Sequence, residues 1–188
     1  AGLAASGMIP YCAIYSTFMQ RAYDNVIHDV AIQNLPVVFC LDRGGLVGED
    51  GATHHGTFDM AAYAAIPSLT IAAPRNELEL RNMMYTAKEA GTPYMIRYPR
   101  GTGEGIAWRN EPFSLIPTGR GEELRAGERV AVLSIGTTAH AVGKALDRAA
   151  EKGIRGAHYD LRFVKPLDTA LLDEVAARYE RLITVEDG

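Results

Sequence analysis

Pro36-Val37-Val38-Phe39-Cys40-Leu41 is an unbroken apolar run that leads straight into Asp42-Arg43-Gly44-Gly45-Leu46-Val47-Gly48-Glu49-Asp50-Gly51-Ala52-Thr53-His54-His55-Gly56. A short continuous apolar run bounded by turn residues reads as a strand buried on both faces, the form strands take in a parallel sheet. The stretch after it packs five glycines, two adjacent histidines, an arginine and three carboxylates into fifteen residues. Connections inside compact domains are usually shorter and blander, and long ones are commonly functional. Polar groups carried on the end of a rigid strand are also a common way to build a site. Loop 42–56 is therefore the candidate active site against which the rest of the chain is tested.

Working outward, residues 11–15 read as a strand. Thr17 and Gln20 then have capping-box spacing at the start of a helix. Its apolar positions Met19, Ala22, Val26 and Val30 recur every three or four residues, as a core-facing stripe requires, and Asn34-Leu35-Pro36 ends it. On the far side of the loop, residues 58–63 suggest a short helix before Pro67 and residues 69–72 a strand. Asn76 and Glu79 look like a cap and its partner for a helix that runs to Gly91 and buries Leu80, Met83, Met84 and Ala87. Residues 94–98 form a further strand that ends in Pro99-Arg100-Gly101. The alternation predicts an α/β domain with a mostly parallel sheet covered on both faces.

Residues 101–128 are rich in Gly, Pro, Glu and Arg, show no sustained period, and read as a linker with a hairpin around 118–124. A second α/β unit follows: a strand at 130–135, a capped helix at 138–150, a strand at 157–161, a helix at 168–178 and a strand at 182–185. Residues 1–5 read as the tail of an apolar helix closed by Gly7, the usual position for a left-handed residue after a helix. The last residues, to Gly188, read as a strand reaching its loop. Both ends predict a piece of a longer protein.

The chain has 188 residues, 47% hydrophobic and 22% charged, the composition of an ordered globular protein. A formal charge of −4 and a pI near 5.7 give no basic footprint for nucleic acid. No apolar run approaches the ~20 residues a membrane helix needs, and no signal-peptide pattern opens the chain. A cytoplasmic protein is expected. Cys12 and Cys40 lie in predicted strands among apolar neighbours and read as two reduced core thiols.

Strands of one parallel sheet deliver their following loops to one edge, where ligands collect. Three such ends, residues 15–18, 43–55 and 97–100, are expected to be neighbours. Arg43 and Arg100 suit a phosphate or carboxylate, because a guanidinium binds oxyanions bidentately and stays charged; each could instead pair with a surface carboxylate. His54 and His55 point to opposite sides of an extended backbone, so one faces the cleft and the other the interior. The cleft imidazole, with Thr53 and Asp50 nearby, suits acid/base work or a hydrogen bond to a substrate oxygen. Adjacent histidines are a poor metal site. Phe18 could be core, or a flat surface for an aromatic ligand ring. His28, His140 and His158 read as surface or strand-face residues. Gly101-Thr102-Gly103-Glu104-Gly105 and Gly119-Arg120-Gly121 fail the context of a dinucleotide or P-loop motif.

Four stretches together resemble a known family. They are Tyr15-Ser16-Thr17-Phe18-Met19-Gln20-Arg21-Ala22-Tyr23-Asp24, the loop 42–56, Arg97-Tyr98-Pro99-Arg100-Gly101, and Asp160-Leu161-Arg162-Phe163-Val164-Lys165-Pro166-Leu167-Asp168. They look like the 1-deoxy-D-xylulose 5-phosphate synthase family, thiamine diphosphate enzymes of the transketolase superfamily; Gly44 stands where that family more often has alanine. The resemblance implies a pyrimidine-binding domain over 1–115 with its start missing, a linker over 116–128, and a carboxy-terminal transketolase domain over 129–188 with its end missing. It implies decarboxylation of pyruvate and transfer of the two-carbon unit to D-glyceraldehyde 3-phosphate, a step toward isoprenoid and thiamine precursors. By the same resemblance, Phe18 packs on the cofactor's aminopyrimidine and Arg43 and Arg100 bind the acceptor phosphate. Tyr15, Asp50 and His54 line the substrate channel.

The family's cofactor-activating glutamate, its Mg2+ ligands and its diphosphate cradle fall outside this chain. The chain alone is therefore expected neither to bind thiamine diphosphate tightly nor to turn over, and the partner it implies is the amino-terminal part of the same protein, in a homodimer. The β subunit of a 2-oxo acid dehydrogenase and a non-catalytic dimerisation module are the alternatives. The paired arginines and Thr53-His54-His55-Gly56 favour the synthase family.

Overall fold

The structure, a computed structural model, describes residues 1–187. Gly188, the last residue expected in the second domain, lies outside them. A short helix α1 (Gly2–Ala5) precedes β1 (Tyr11–Tyr15), which is followed by α2 (Ser16–Met19) and α3 (Tyr23–Asn25). Next come β2 (Val38–Asp42), α4 (Asp59–Ala64), β3 (Thr70–Ala72), α5 (Glu77–Ala90) and β4 (Tyr94–Arg97). The second half holds β5 (Glu122–Arg125), β6 (Val130–Ser134), α6 (Thr138–Glu151), β7 (Ala157–Asp160), β8 (Phe163–Lys165), α7 (Thr169–Arg178) and β9 (Arg181–Val185).

Among the described residues, the strands form a five-stranded sheet in the order β1-β2-β4-β3-β8 and a four-stranded sheet in the order β5-β7-β6-β9. The first sheet is parallel except for β8, and the second is parallel except for β5. The apolar run around β2 explains the three-layer build. Phe39 and Leu41 join the core beneath the 16–31 stretch and α4, with Met19, Val26 and Val30. Val38 and Cys40, pointing the other way because side chains alternate along a strand, join Met83 and Ala87 of α5. The second sheet repeats the plan, with Leu133 and Tyr159 packing toward Val175 of α7, and Val132 toward Val142 and Leu146 of α6. The α/β class with parallel sheets is borne out.

Four expectations are corrected. The 16–31 stretch is not one capped helix: α2 and α3 are separated by a 3-10 turn and followed by a π-helical segment, Val26–Ala31. Thr17 caps nothing, because its hydroxyl donates to the Thr53 carbonyl at 3.1 Å and so ties this stretch to the loop. The hairpin near 118–124 is a turn followed by β5, whose partner is β7, with Glu122 opposite Asp160. A turn is written locally, but that strand's partner lies far along the chain. The α6 start lacks a side-chain cap, since the Thr138 hydroxyl is directed to the Ile135 and Val185 carbonyls at 2.8 and 3.3 Å. Cys12 is exposed, because β1 is an edge strand, while Cys40 is buried as expected.

The Asn76 cap is present: its side chain accepts from the Glu79 amide at 2.9 Å, and Gly91 ends α5 in the left-handed conformation. The Glu79 carboxylate does not reciprocate. It accepts from the Arg75 amide at 2.8 Å and anchors a cluster at the junction of the two sheets. There Arg75 Nη1 meets Glu79, Glu122 and Asp160 at 2.9, 2.7 and 3.0 Å, and Arg162 Nε meets Glu79 at 2.7 Å. Immediately after Arg162, β8 crosses back to add an antiparallel edge to the first sheet, with Phe163 fully buried there.

Candidate functional site

The parallel register sets Tyr15 beside Asp42 and Leu41 beside Arg97, so the loops after β1, β2 and β4 leave from one level on one edge. The three stretches expected to be neighbours are neighbours. The second of them folds back on itself: the Gly45 and Gly56 amides each donate to the other's carbonyl at 2.9 Å, and the Gly44 amide donates to Tyr98 O at 3.0 Å. Between these ends the chain makes two 3-10 turns, Gly48–Asp50 and Ala52–His54. A Cβ on Gly56 would collide with the Arg43 carbonyl and the Ser16 side chain, which explains glycine at the closing position.

Arg43 adopts φ +62°, a left-handed conformation uncommon for a residue with a side chain. That turn lays its guanidinium 3.8 Å above the Tyr15 ring. Tyr15 in turn stacks on Phe18, with centroids 5.3 Å apart and planes 14° from parallel. His54 meets the edge of this stack, 5.2 Å from Phe18 and 6.3 Å from Tyr15. Its Nδ1 lies 2.9 Å from the Thr53 hydroxyl. His55 turns the other way and accepts from the Val47 amide at 3.2 Å, so the two imidazoles divide as their alternation predicts.

Asp50 organises the cations. Its Oδ2 accepts from Arg43 Nε at 2.9 Å and lies 3.3 Å from Arg100 Nε, while Glu49 lies 3.5 Å from Arg100 Nη2 and Asp42 2.5 Å from Arg43 Nη1. Partial burial works against the charge of Arg43, but its bond to Asp50 and the nearby Asp42 carboxylate hold it more basic than usual. Arg100 is 39% exposed and Phe18 43% exposed, so one guanidinium and one ring face solvent at the rim. A cleft of about 320 Å³ opens beside Arg100, lined also by Asp42, Asn76, Glu77 and Tyr98. The arrangement can take an anion on its guanidiniums, a flat ring on Phe18, and a proton donor or acceptor at His54. Among the described residues, no group of three or more His, Cys, Asp or Glu side chains is placed to hold a metal ion.

Sequence reasoning missed the floor beneath the loop. Arg97, buried at the end of β4, meets Asp59 at 3.2 Å and also pairs with Asp187, and Asp59 accepts from Ser16 Oγ at 2.9 Å. The one available signal was an arginine inside an apolar strand, since a buried charge requires a partner. His158, read as a strand-face residue, is buried with Ser134, its Nε2 2.8 Å from the hydroxyl; burial and the nearby Arg125 and Arg75 lower its pKa.

The profile described as "Transketolase, pyrimidine binding domain" matches residues 1–104, and "Transketolase, C-terminal domain" matches residues 119–188. The 1-deoxy-D-xylulose-5-phosphate synthases of Parabacteroides distasonis and Bacteroides thetaiotaomicron are 58% and 57% identical to the chain over all of it. The chain spans 30% and 29% of their respective lengths. Among solved structures, a split-gene transketolase described as an inactive beta4 tetramer superposes with a TM-score of 0.86 at 24% identity, over 98% of this chain and 60% of that one. A transketolase variant from Pichia stipitis superposes with a TM-score of 0.76 at 19% identity, over 94% of this chain and 26% of that one. These two likenesses concern the fold. The chain belongs to the transketolase family, as a pyrimidine-binding domain followed by a C-terminal domain of the kind found in 1-deoxy-D-xylulose 5-phosphate synthases.

Proposed function

We propose that this member of the family is part of a 1-deoxy-D-xylulose 5-phosphate synthase, a transferase that decarboxylates pyruvate and joins the two-carbon unit to D-glyceraldehyde 3-phosphate. The observation that carries the reading is the convergence of Arg43 and Arg100 on one carboxylate, Asp50, at a solvent-facing rim beside His54. Two guanidiniums sharing one carboxylate retain donors for a second oxyanion, and a phosphate offers three acceptor oxygens for them. Arg100, the more exposed, is the one free to swing toward the acceptor phosphate. Arg43 is held in place by Tyr15 beneath it and directs the other edge of the clamp.

Thiamine diphosphate is the cofactor of this reading, and the exposed ring of Phe18 fits its aminopyrimidine as a flat stacking surface. When bound, the cofactor supplies the carbon nucleophile and the electron sink for decarboxylation. Phe18 and Tyr15 orient the ring face, and the aromatic wall keeps water from that side of the site. His54, edge-on to the wall and hydrogen-bonded through Thr53, is placed to give or take the proton at a substrate oxygen, and Asp50 fixes the guanidiniums around it. The diphosphate and Mg2+ are assigned to residues outside this chain, so the working enzyme requires the amino-terminal part of the protein. A homodimer completes the proposal.

The test is Arg100→Ala in the full-length protein, with apparent affinities measured for both substrates. The loss should fall on glyceraldehyde 3-phosphate, by about 2 kcal/mol for one charge-assisted contact. An equal loss for pyruvate would remove Arg100 from the phosphate clamp.

A further inference from the structure

The buried arginine beneath the loop has no part in the clamp. Arg97 ends β4, the middle strand of the first sheet, and its side chain is 3% exposed. Its Nε donates to Asp59 at 3.2 Å, and Nη1 pairs with Asp187, which follows β9 of the second sheet. Nη2 reaches the carbonyls of Asp187 and Gly56 at 3.4 and 3.5 Å. Two carboxylates make the buried guanidinium tolerable, but they do not explain why an arginine stands here. Buried ion pairs are often replaceable by apolar residues of similar volume without loss of stability.

The glycines of the loop supply the explanation. A Cβ on Gly44 would run into the Arg97 side chain, and one on Gly45 would run into Asp187. Gly45 is in turn bonded twice to Gly56, the other end of the loop. Both ends of the loop therefore rest on the Arg97–Asp187 contact, which joins the first domain to the second.

We propose that Arg97 is a positioning residue. With Asp187 it forms the seat on which loop 42–56 is held, so that the orientation of Arg43, Asp50 and His54 depends on contact with the second domain. The kinetic consequence rests on the activity proposed above, whereas the structural consequence does not.

The experiment uses the full-length protein with Asp187→Asn, Arg97→Met and Arg97→Lys. Two quantities are read: amide hydrogen exchange across residues 43–56, and kcat with KM for each substrate. In Asp187→Asn and Arg97→Met, exchange of the Gly45 and Gly56 amides should rise about tenfold or more, as expected when a locally opened segment loses its support. The kcat should fall about tenfold, as for a slightly displaced catalytic group, with KM for pyruvate changed less than about twofold. Arg97→Lys should recover part of both effects. Wild-type exchange rates in the loop of folded Asp187→Asn and Arg97→Met would overturn the proposal. If Arg97→Met does not fold, Asp187→Asn decides alone, because Arg97 then keeps Asp59. If the wild-type protein makes no product, the proposed activity falls while the exchange measurement still decides the role of Arg97.

Discussion

Arginines and carboxylates gather twice in this chain, and the two clusters differ in how far the carboxylates they share are withdrawn from water, Asp50 being 22% exposed and Glu79 4%. At the rim of the loop, Arg43 and Arg100 share Asp50, with Glu49 88% exposed beside them. At the junction of the sheets, Arg75 and Arg162 share Glu79, with Asp160 fully buried beside them. The rim cluster can exchange one carboxylate for an incoming anion, because water stabilises whichever group is displaced. The junction cluster has less of that freedom, since the buried Glu79 and Asp160 depend on their arginine partners. The same residue types thus make an open rim, the proposed binding surface, in one place and a clasp between the sheets in the other.

The largest expected effect tests the clasp. Glu79→Ala removes the buried acceptor shared by Arg75 and Arg162, leaving Arg75 with Glu122 and Asp160 and Arg162 with Glu122, and should cost about 3 kcal/mol of unfolding free energy, the upper range for losing hydrogen bonds to charged groups. Chemical denaturation measures it, and a loss below about 1 kcal/mol would place the junction in the same class as the rim.

A smaller effect is carried by pH. Burial first, and then the neighbouring Glu79 carboxylate, push the Asp160 pKa up from 3.8 to about 6, against the pull of Arg75. The folded state therefore binds this proton more tightly than the unfolded state does. The resulting stabilisation is complete below the unfolded pKa and is lost as pH rises from about 4 to about 6. Relative to Asp160→Asn, the wild type should lose on the order of 2 kcal/mol across that window. Parallel stability curves for the two proteins would break the assignment of the proton to Asp160.

The smallest effect belongs to the rim. Asp50→Asn should lower unfolding free energy by about 1 kcal/mol or less, because Arg43 keeps Asp42, Arg100 keeps Glu49, and the amide oxygen can still accept from Arg43. A loss equal to that of Glu79→Ala would mean that the loop is a structural clasp as well, and the contrast between the clusters would disappear.

The parts of the fold that were legible are those with local causes. The strand at 11–15 and the helix closed by Gly91 follow from apolar periodicity, a cap at Asn76 and a left-handed glycine, all of which act within a few residues. The convergence of Tyr15, Phe18, Arg43, Asp50, His54 and Arg100 was legible because parallel strands deliver their loops to a common edge. The misplaced readings have distant causes. Thr17 has the spacing of a cap, but a loop carbonyl from Thr53 took its hydroxyl. Cys12 has apolar neighbours in sequence, but β1 became an edge strand. Nothing near residues 163–165 announces that they complete the sheet of the other domain.

By itself, the sequence determined the α/β class, the presence of two units, the loop that carries the polar groups, and the family, because periodicity, turn chemistry and motif order are properties of neighbouring residues. Only the tertiary structure decided which charges face water and which are locked away. Arg97 and Arg100 lie three residues apart, yet the first is buried on Asp59 and Asp187 and the second stands at the rim. That division depends on where a strand ends and on what the second domain lays against it. Long-range packing sets both, and no local pattern encodes them.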